Sequence, residues 1–130
     1  MQRTVILLVD DEKTVLDSLK HELRRGFGPT YIFETAESVQ EAWEVIEELN
    51  DAGISIVVVV SDWLMPGTCG DTFLIGLKAR FPSVIRIMLT GHASEDGLRR
   101  ARALADVHEV ITKPWDSDDL CRVIASRLPR

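Results

Sequence analysis

Four short stretches of the sequence carry side chains that could do chemistry, each at the end of a run of apolar residues. Asp10 and Asp11 follow the run in "TVILLVDDE", and Asp62 follows "ISIVVVVS". Thr90 ends "VIRIMLT", and Lys113 follows "VHEVIT". Like charges repel at short range, and carboxylate oxygens are the ligands that Mg²⁺ prefers. If the three carboxylates meet, they predict an acidic metal pocket.

The same residues favour phosphoryl chemistry. A divalent cation, an ammonium and a hydroxyl around one exposed carboxylate can bind three phosphoryl oxygens while that carboxylate attacks phosphorus in line. Asp62 is the predicted nucleophile, with Thr90 and Lys113 as its helpers. Taken singly, Asp10 and Asp11 could cap a helix, Thr90 could end a strand, and Lys113 could be a surface charge. Their joint position after four of five predicted strands favours the functional interpretation.

The elements that must position these side chains follow from hydrophobic periodicity. Apolar runs predict five strands, and each is followed by a segment with apolar residues at helical spacing, as in Leu16, Leu19 and Leu23. Ser38 and Glu41 have the spacing of a capping box. The alternation predicts an α/β fold, a doubly wound (βα)5 five-stranded parallel sheet in the flavodoxin-like order 2-1-3-4-5. The first and third strands are then neighbours, about 4.8 Å apart, which brings the acids together.

Length and composition bound the class of protein. The 130 residues, 45% hydrophobic and 28% charged, predict one soluble globular domain over residues 1–130. The net charge of −6 argues against a direct nucleic-acid partner. Apolar runs too short to span a bilayer and an acidic start predict a cytoplasmic protein with no membrane partner. Cys69 and Cys121 lack metal-ligand spacing and receive no role.

The motifs "LVDDE", "SDWLMPGTCG", "LTG" and "KPW" resemble those of the receiver domain of two-component response regulators, and the resemblance covers the whole chain. It implies that Asp62 accepts a phosphoryl group from a cognate histidine kinase or phosphotransfer protein. It implies that Asp11, Asp62 and the backbone carbonyl of Trp63 or Leu64 coordinate Mg²⁺ while Asp10 assists. It also implies a cis peptide between Lys113 and Pro114.

In this family, phosphorylation recruits the counterparts of Thr90 and Lys113 and rearranges the face made by the fourth helix, fifth strand and fifth helix. The resemblance therefore implies a two-state switch that signals to an output domain or downstream protein, with a homodimer through this face as an open alternative. Apart from its own phosphorylation and dephosphorylation, the protein is expected to catalyse no reaction.

Some positions depart from the family pattern or are expected to tune the site. Val110 stands where the family often carries an aromatic residue, so signal transfer must use other groups. Trp115 could be part of a replacement, or it could pack in the core. Leu64 and His92 are expected to tune the lifetime of the phosphoryl group, although His92 could also be a surface loop residue.

Two other classes of protein remain as alternatives. A haloacid-dehalogenase-like phosphatase also forms an aspartyl phosphate with Mg²⁺, but it needs a second acid two residues after its nucleophile, where this chain has Leu64. A pseudo-receiver that serves only as an interaction module would show gaps in the set of three acids, threonine and lysine, and this sequence shows none.

Overall fold

The computed structural model of the protein describes residues 4–62, 64–65, 68–91, 96, 99, 102–103 and 106–128. For residues 64, 65 and 68–71 it describes the backbone. Most of the predicted fourth helix, in "SEDGLRRARALA", lies outside the described residues. Trp63 and His92 also lie outside them.

Five parallel strands form one sheet with helices on both faces. The strands of this sheet are β1 (Thr4–Val9), β2 (Ile32–Ala36), β3 (Ser55–Asp62), β6 (Ile85–Thr90) and β7 (Glu109–Thr112). The helices are α1 (Lys13–Phe27), α2 (Val39–Asp51), α3 (Gly70–Arg80) and α4 (Ser117–Arg127), and a short 3₁₀ turn spans Gly28–Thr30. The sheet order is β2-β1-β3-β6-β7, which confirms the predicted 2-1-3-4-5 arrangement of its strands.

A small antiparallel ribbon follows the third strand of the sheet. Its strands are β4 (Leu64–Met65) and β5 (Thr68–Cys69), and Leu64 pairs with Cys69. No strand was predicted here, because strands of two residues are too short to show a hydrophobic period. The ribbon lies between Asp62 and α3, so it borders the end of the sheet where the acids lie.

The strands are apolar throughout because both faces of the sheet are covered. Successive side chains of a strand point to opposite faces, so Ile6 and Leu8 pack with α1 and α4 while Leu7 and Val9 pack with α2 and α3. Leu16, Leu19 and Leu23 of α1 are buried on the first face, as their helical spacing predicted. Burial of such a side chain is worth about 1.5–3 kcal/mol, and this fixes α1 firmly against the sheet.

Side chains cap the starts of two helices. Ser38 accepts a hydrogen bond from the backbone N–H of Glu41 at 3.1 Å, as the capping-box spacing predicted. The Glu41 carboxylate accepts from the N–H of Glu37 rather than from that of Ser38. At α4, Asp116 caps the helix by accepting from the N–H of Asp119 at 3.0 Å. These bonds satisfy N–H groups that have no partner within the helix.

No helix among the described residues is long and apolar enough to cross a membrane.

Candidate functional site

The candidate site lies at the carboxyl ends of the central strands. Asp62 is the last residue of β3 and pairs in register with Leu89, one residue before Thr90. Thr90 in turn pairs with Thr112, the residue before Lys113. Since parallel strands end at the same edge of the sheet, the register brings the ends of β1, β3, β6 and β7 to one place.

The three acids meet as the strand order predicted. One carboxylate oxygen from each of Asp10, Asp11 and Asp62 lies within 4.8 Å of the others. Asp10 is fully buried and Asp11 is exposed. Asp62 is only 6% exposed, although an exposed carboxylate was expected from the sequence. Its position inside the last pair of the sheet, rather than in the loop after it, explains this difference.

Lys113 joins this acidic cluster from the neighbouring strand end. Its Nζ lies 3.0 Å from Oδ2 of Asp10 and 3.4 Å from Oδ1 of Asp62. The backbone N–H of Lys113 donates to the carbonyl oxygen of Thr90 at 2.8 Å, so the loop start is tied to β6. The Lys113–Pro114 peptide is cis, as the resemblance implies.

Asp10 uses both carboxylate oxygens on neighbouring groups. Oδ1 accepts from the backbone N–H of Glu12 at 2.9 Å, and Oδ2 accepts from Lys113. The first contact is a local turn before α1 and not the helix cap given as the simpler explanation of Asp10, because α1 has no side-chain cap. The second contact belongs to the site. The residue therefore does both, since a carboxylate can accept several hydrogen bonds at once.

Burial and charge perturb the ionisable groups of the site. Burial, followed by the negative charge of Asp10, raises the pKa of Asp62, although Lys113 opposes this shift. Burial alone would lower the pKa of Lys113, but its hydrogen bond to Asp10 and the charges of Asp10 and Asp62 raise it. The ammonium is thus held in its charged form while the Asp62 carboxylate is costly to ionise.

The donor set fits a hard divalent cation. Three carboxylates face one ammonium, so the cluster keeps an excess of negative charge that a cation would offset. All the side-chain donors are oxygens, which suit Mg²⁺ better than they suit zinc. Asp11, being exposed, leaves the cluster open to solvent on one side.

The other predicted site residues lie around this cluster. Thr90 is buried at the end of β6. Leu64 lies in β4, two residues after Asp62, and the structure describes its backbone. Val110 is partly buried and packs against the apolar core between the sheet and helices α2 and α3. Trp115 is partly buried and packs against the apolar core between the sheet and helices α1 and α4.

A polar residue that was not predicted from the sequence reaches the segment after Lys113. Glu22 of α1 accepts a hydrogen bond from Nε1 of Trp115 at 2.6 Å, and it also accepts one from Ser117. No local pattern signals this contact, because it joins residues about ninety positions apart. The place of Glu22 beside the apolar stripe of α1, next to Leu23, was the only sign available.

Comparisons with known proteins agree with this geometry. The family model described as the response regulator receiver domain matches residues 6–125. The hydrogenase transcriptional regulatory protein HoxA of Cupriavidus necator is 28% identical over 119 residues, which cover 92% of this chain and 23% of HoxA. The transcriptional regulatory protein FixJ of Bradyrhizobium diazoefficiens is 32% identical over 124 residues, which cover 95% of this chain and 56% of FixJ. The chain thus spans less than two thirds of either regulator.

A solved structure extends the likeness to three dimensions. The response regulator receiver domain protein from Clostridium thermocellum is 30% identical, with a TM-score of 0.81 over 95% of this chain and 93% of that one. The fold, the family match and the acidic cluster agree, and the chain belongs to the response regulator receiver domain family. Its role is that of a receiver in a two-component phosphorelay.

Proposed function

We propose that Asp62 is the phosphoacceptor of this receiver domain. One observation carries the proposal: the Asp62 carboxylate lies 3.4 Å from the Lys113 ammonium and within 4.8 Å of oxygens of Asp10 and Asp11. Such a set supports attack on a phosphoryl group, because it combines a carboxylate nucleophile with an ammonium and with carboxylate ligands for a divalent cation. We further propose that residues 1–130 form a single receiver domain.

The proposed reaction moves a phosphoryl group from nitrogen to oxygen. An oxygen of Asp62 attacks phosphorus of a phosphohistidine on the cognate histidine kinase or phosphotransfer protein. The new O–P bond forms as the N–P bond breaks. The electron pair of the N–P bond returns to the imidazole nitrogen. The imidazole leaves as a neutral group when its other nitrogen carries a proton. The Lys113 ammonium and the Thr90 hydroxyl bind the phosphoryl oxygens of the resulting aspartyl phosphate.

We assign the cation to Asp11, Asp62 and the backbone carbonyl of Leu64, with Asp10 in support. Asp10 already uses one oxygen on Glu12 and one on Lys113, so its part is to hold the ammonium in place. Bound Mg²⁺ would offset negative charge on the carboxylates and on the incoming phosphoryl oxygens. Asp11, as the exposed acid, gives the cation a route from solvent.

The proposed output is a two-state switch. New charge-assisted hydrogen bonds to Thr90 and Lys113 would bias an equilibrium of the face made by the predicted fourth helix, β7 and α4. Val110 lies on β7 and Trp115 follows it, so both belong to this face or its edge. The partner that binds this face is an output domain, a downstream protein or a second copy of the chain, in the cytoplasm.

We also propose that Leu64 and His92 tune the lifetime of the aspartyl phosphate. An apolar side chain two residues after the acceptor offers attacking water no hydrogen bond. Leu64→Asn is therefore expected to shorten the lifetime severalfold, measured as loss of the phosphoryl mass after the donor is removed. An unchanged decay rate would refute this role for Leu64.

Intact mass after incubation with Mg²⁺ and phosphoramidate tests the proposed function. The wild type is expected to gain one phosphoryl group as ammonia is released, and Asp62→Asn is expected to gain none. Asp51→Asn is the matched control, because it makes the same change at an exposed position on α2. Labelling of Asp62→Asn at the wild-type rate would overturn the assignment.

The same experiment separates the two rival classes of protein. A persistent added phosphoryl group supports the receiver mechanism, in which the domain acts only on its own phosphorylation. Rapid consumption of the donor, followed as continued release of phosphate, would support a haloacid-dehalogenase-like phosphatase. If neither label nor turnover occurs, the chain is a pseudo-receiver that acts through protein contacts alone.

A further inference from the structure

Glu22 binds the segment that follows Lys113 with both oxygens of its carboxylate. Oε2 accepts from the indole N–H of Trp115 at 2.6 Å, and Oε1 accepts from the hydroxyl of Ser117. The backbone carbonyl of Glu22 also accepts a weak bond from the thiol of Cys121 at 3.7 Å. One residue of α1 thus holds three side chains from residues 115–121.

The anchor is rigid because α1 is packed tightly against the sheet. Glu22 directly precedes Leu23, which is fully buried, and lies one turn from Leu19, which is also fully buried. Trp115 itself packs against the same apolar cluster. A hydrogen bond between Glu22 and Trp115, both partly buried, therefore costs little further conformational entropy. This bond fixes the Trp115 ring relative to the sheet, and the exposed Ser117 adds a second contact to the same carboxylate.

The segment between β7 and α4 is held at both ends. At its start, the backbone N–H of Lys113 donates to Thr90 of β6. At its end, Asp116 caps α4. Between these points only Pro114 separates Lys113 from Trp115, so the position of the Trp115 ring constrains the backbone from which the Lys113 side chain extends.

We propose that Glu22 is a positioning residue for Lys113: by holding Trp115 and Ser117, it sets the place of the ammonium between Asp10 and Asp62. This inference rests on the proposed function, since Lys113 acts there by binding phosphoryl oxygens. Displacement of a charged group by about 1 Å can cost up to roughly a hundredfold in rate, so a remote anchor of this kind matters to the chemistry.

The first test compares phosphorylation rates of variants with intact mass as the readout. Glu22→Ala is expected to slow labelling by phosphoramidate about tenfold at saturating Mg²⁺, because the ammonium is no longer held in place. Glu22→Gln, which keeps only one acceptor oxygen, and Trp115→Phe, which keeps a ring but loses the N–H, are expected to fall between it and the wild type. Glu48→Ala, an exposed glutamate on α2, is the matched control and is expected to react at the wild-type rate.

The second test asks whether Glu22 acts through Lys113. In a Lys113→Ala background, Glu22→Ala is expected to cause no further loss of rate. Equal slowing by Glu22→Ala with and without Lys113 would mean that Glu22 supports the fold and does not act through Lys113.

Folding is monitored by circular dichroism, and rates are compared at a temperature at which every variant is folded. If Glu22→Ala does not fold, Glu22→Gln and Trp115→Phe carry the test alone. If the wild type takes the label and every Glu22 and Trp115 variant reacts at the same rate as the wild type, the positioning role is refuted. The proposed function stands in that case. A wild type that takes no label would contradict the proposed function itself.

Discussion

Asp62, the proposed phosphoacceptor, is subject to two opposing effects. Attack on phosphorus would require an ionised carboxylate, yet burial and the nearby charge of Asp10 raise the pKa of Asp62. Lys113 reduces this cost, since its ammonium lies 3.4 Å away. The surroundings of Asp62 therefore stabilise its carboxylate incompletely, which is a common property of functional sites and supports the proposed role.

Replacing Asp62 by Asn is expected to stabilise the protein in metal-free buffer at neutral pH. The substitution removes a charge that burial and Asp10 disfavour, while the amide oxygen can still accept a hydrogen bond from Lys113. The measurement is the midpoint of urea unfolding, with chelator present, for Asp62→Asn and wild type. A lower midpoint for the variant would show that the pair of Asp62 and Lys113 contributes more than the burial costs.

His108 is expected to make stability depend on pH. Its Nδ1 accepts a hydrogen bond from the backbone N–H of Arg86 at 3.0 Å, so the ring is held neutral. Burial, then the positive charges of Arg86 and Arg127, lower its pKa below the ordinary value of 6.5, despite the nearby Asp106. Below pH 6.5 the unfolded chain takes up a proton that the folded protein does not, so the free energy of unfolding falls as the pH falls towards the folded pKa.

This pH dependence can be measured by urea unfolding at intervals from pH 7.5 down to about 5. Between pH 6.5 and 5 the wild type is expected to lose more stability than His108→Gln, and above 6.5 the contribution of this residue is constant. His21→Gln, at an exposed position of α1, serves as the control. Equal slopes for wild type and His108→Gln would contradict the prediction.

At the element scale, α1 and α4 approach each other closely at Gly26. A Cβ atom added there would lie 2.5 Å from Sγ of Cys121 and 3.3 Å from its Cβ. If the thiol turns away, it loses its weak hydrogen bond to the carbonyl of Glu22, and the close approach to Cβ of Cys121 remains. The contact between the helices therefore favours glycine at this position.

Gly26→Ala is expected to destabilise the protein, although alanine is favoured over glycine in a helix interior by about 1 kcal/mol. The methyl group must push α4 away or displace the thiol, and overpacking of this kind typically costs about 1–3 kcal/mol. Chemical unfolding of Gly26→Ala, Cys121→Ala and the double variant measures the coupling. The double variant is expected to be more stable than Gly26→Ala, and a stabilised single variant would refute the steric argument.

Elements with a clear period were predictable from the sequence, and contacts between distant segments were not. The apolar runs around Val60 and Leu8 indicated a parallel sheet covered on both faces. The doubly wound strand order, one of the few that such a sheet allows, then predicted that Asp10 meets Asp62. Arg86 illustrates the limit. It is 2% exposed within β6, where its guanidinium donates to the carbonyl oxygens of Val84 and Asp106.

Nothing in the local sequence marks Arg86 as buried, because charged residues are rarely fully buried unless they are paired, and its partner Asp106 lies on a different segment of the chain. The role of Glu22 could not be predicted for the same reason, because its partners Trp115 and Ser117 lie in the last quarter of the sequence. The short ribbon of β4 and β5 was missed because strands of two residues show no hydrophobic period.

At the scale of the whole molecule, Mg²⁺ is expected to stabilise the folded protein. The carboxylates of Asp10, Asp11 and Asp62 are brought together only by the fold, so a cation that binds them binds the folded state. At a concentration about 100 times its Kd, such a ligand adds about 2.7 kcal/mol to the free energy of unfolding. The measurement is the Tm at rising MgCl₂, compared with NaCl of equal ionic strength.

Asp11→Asn is the informative variant for this effect. Because Asp11 is exposed, its loss is expected to change the metal-free Tm little while removing most of the response to Mg²⁺. Asp51→Asn, also exposed but on α2, is expected to respond like the wild type. If the Tm of Asp11→Asn rises with MgCl₂ as much as that of the wild type, the cation does not bind at the three acids.

The strand order has a consequence for synthesis. The acids of the site belong to the first half of the chain, whereas Lys113 follows β7, the last strand of the sheet. A chain emerging from the ribosome can therefore assemble β1 and β3 and bring Asp10 beside Asp62 before their compensating ammonium has been translated. Until that last portion appears, a nascent chain must tolerate the unbalanced carboxylates or neutralise them with a cation from the surroundings.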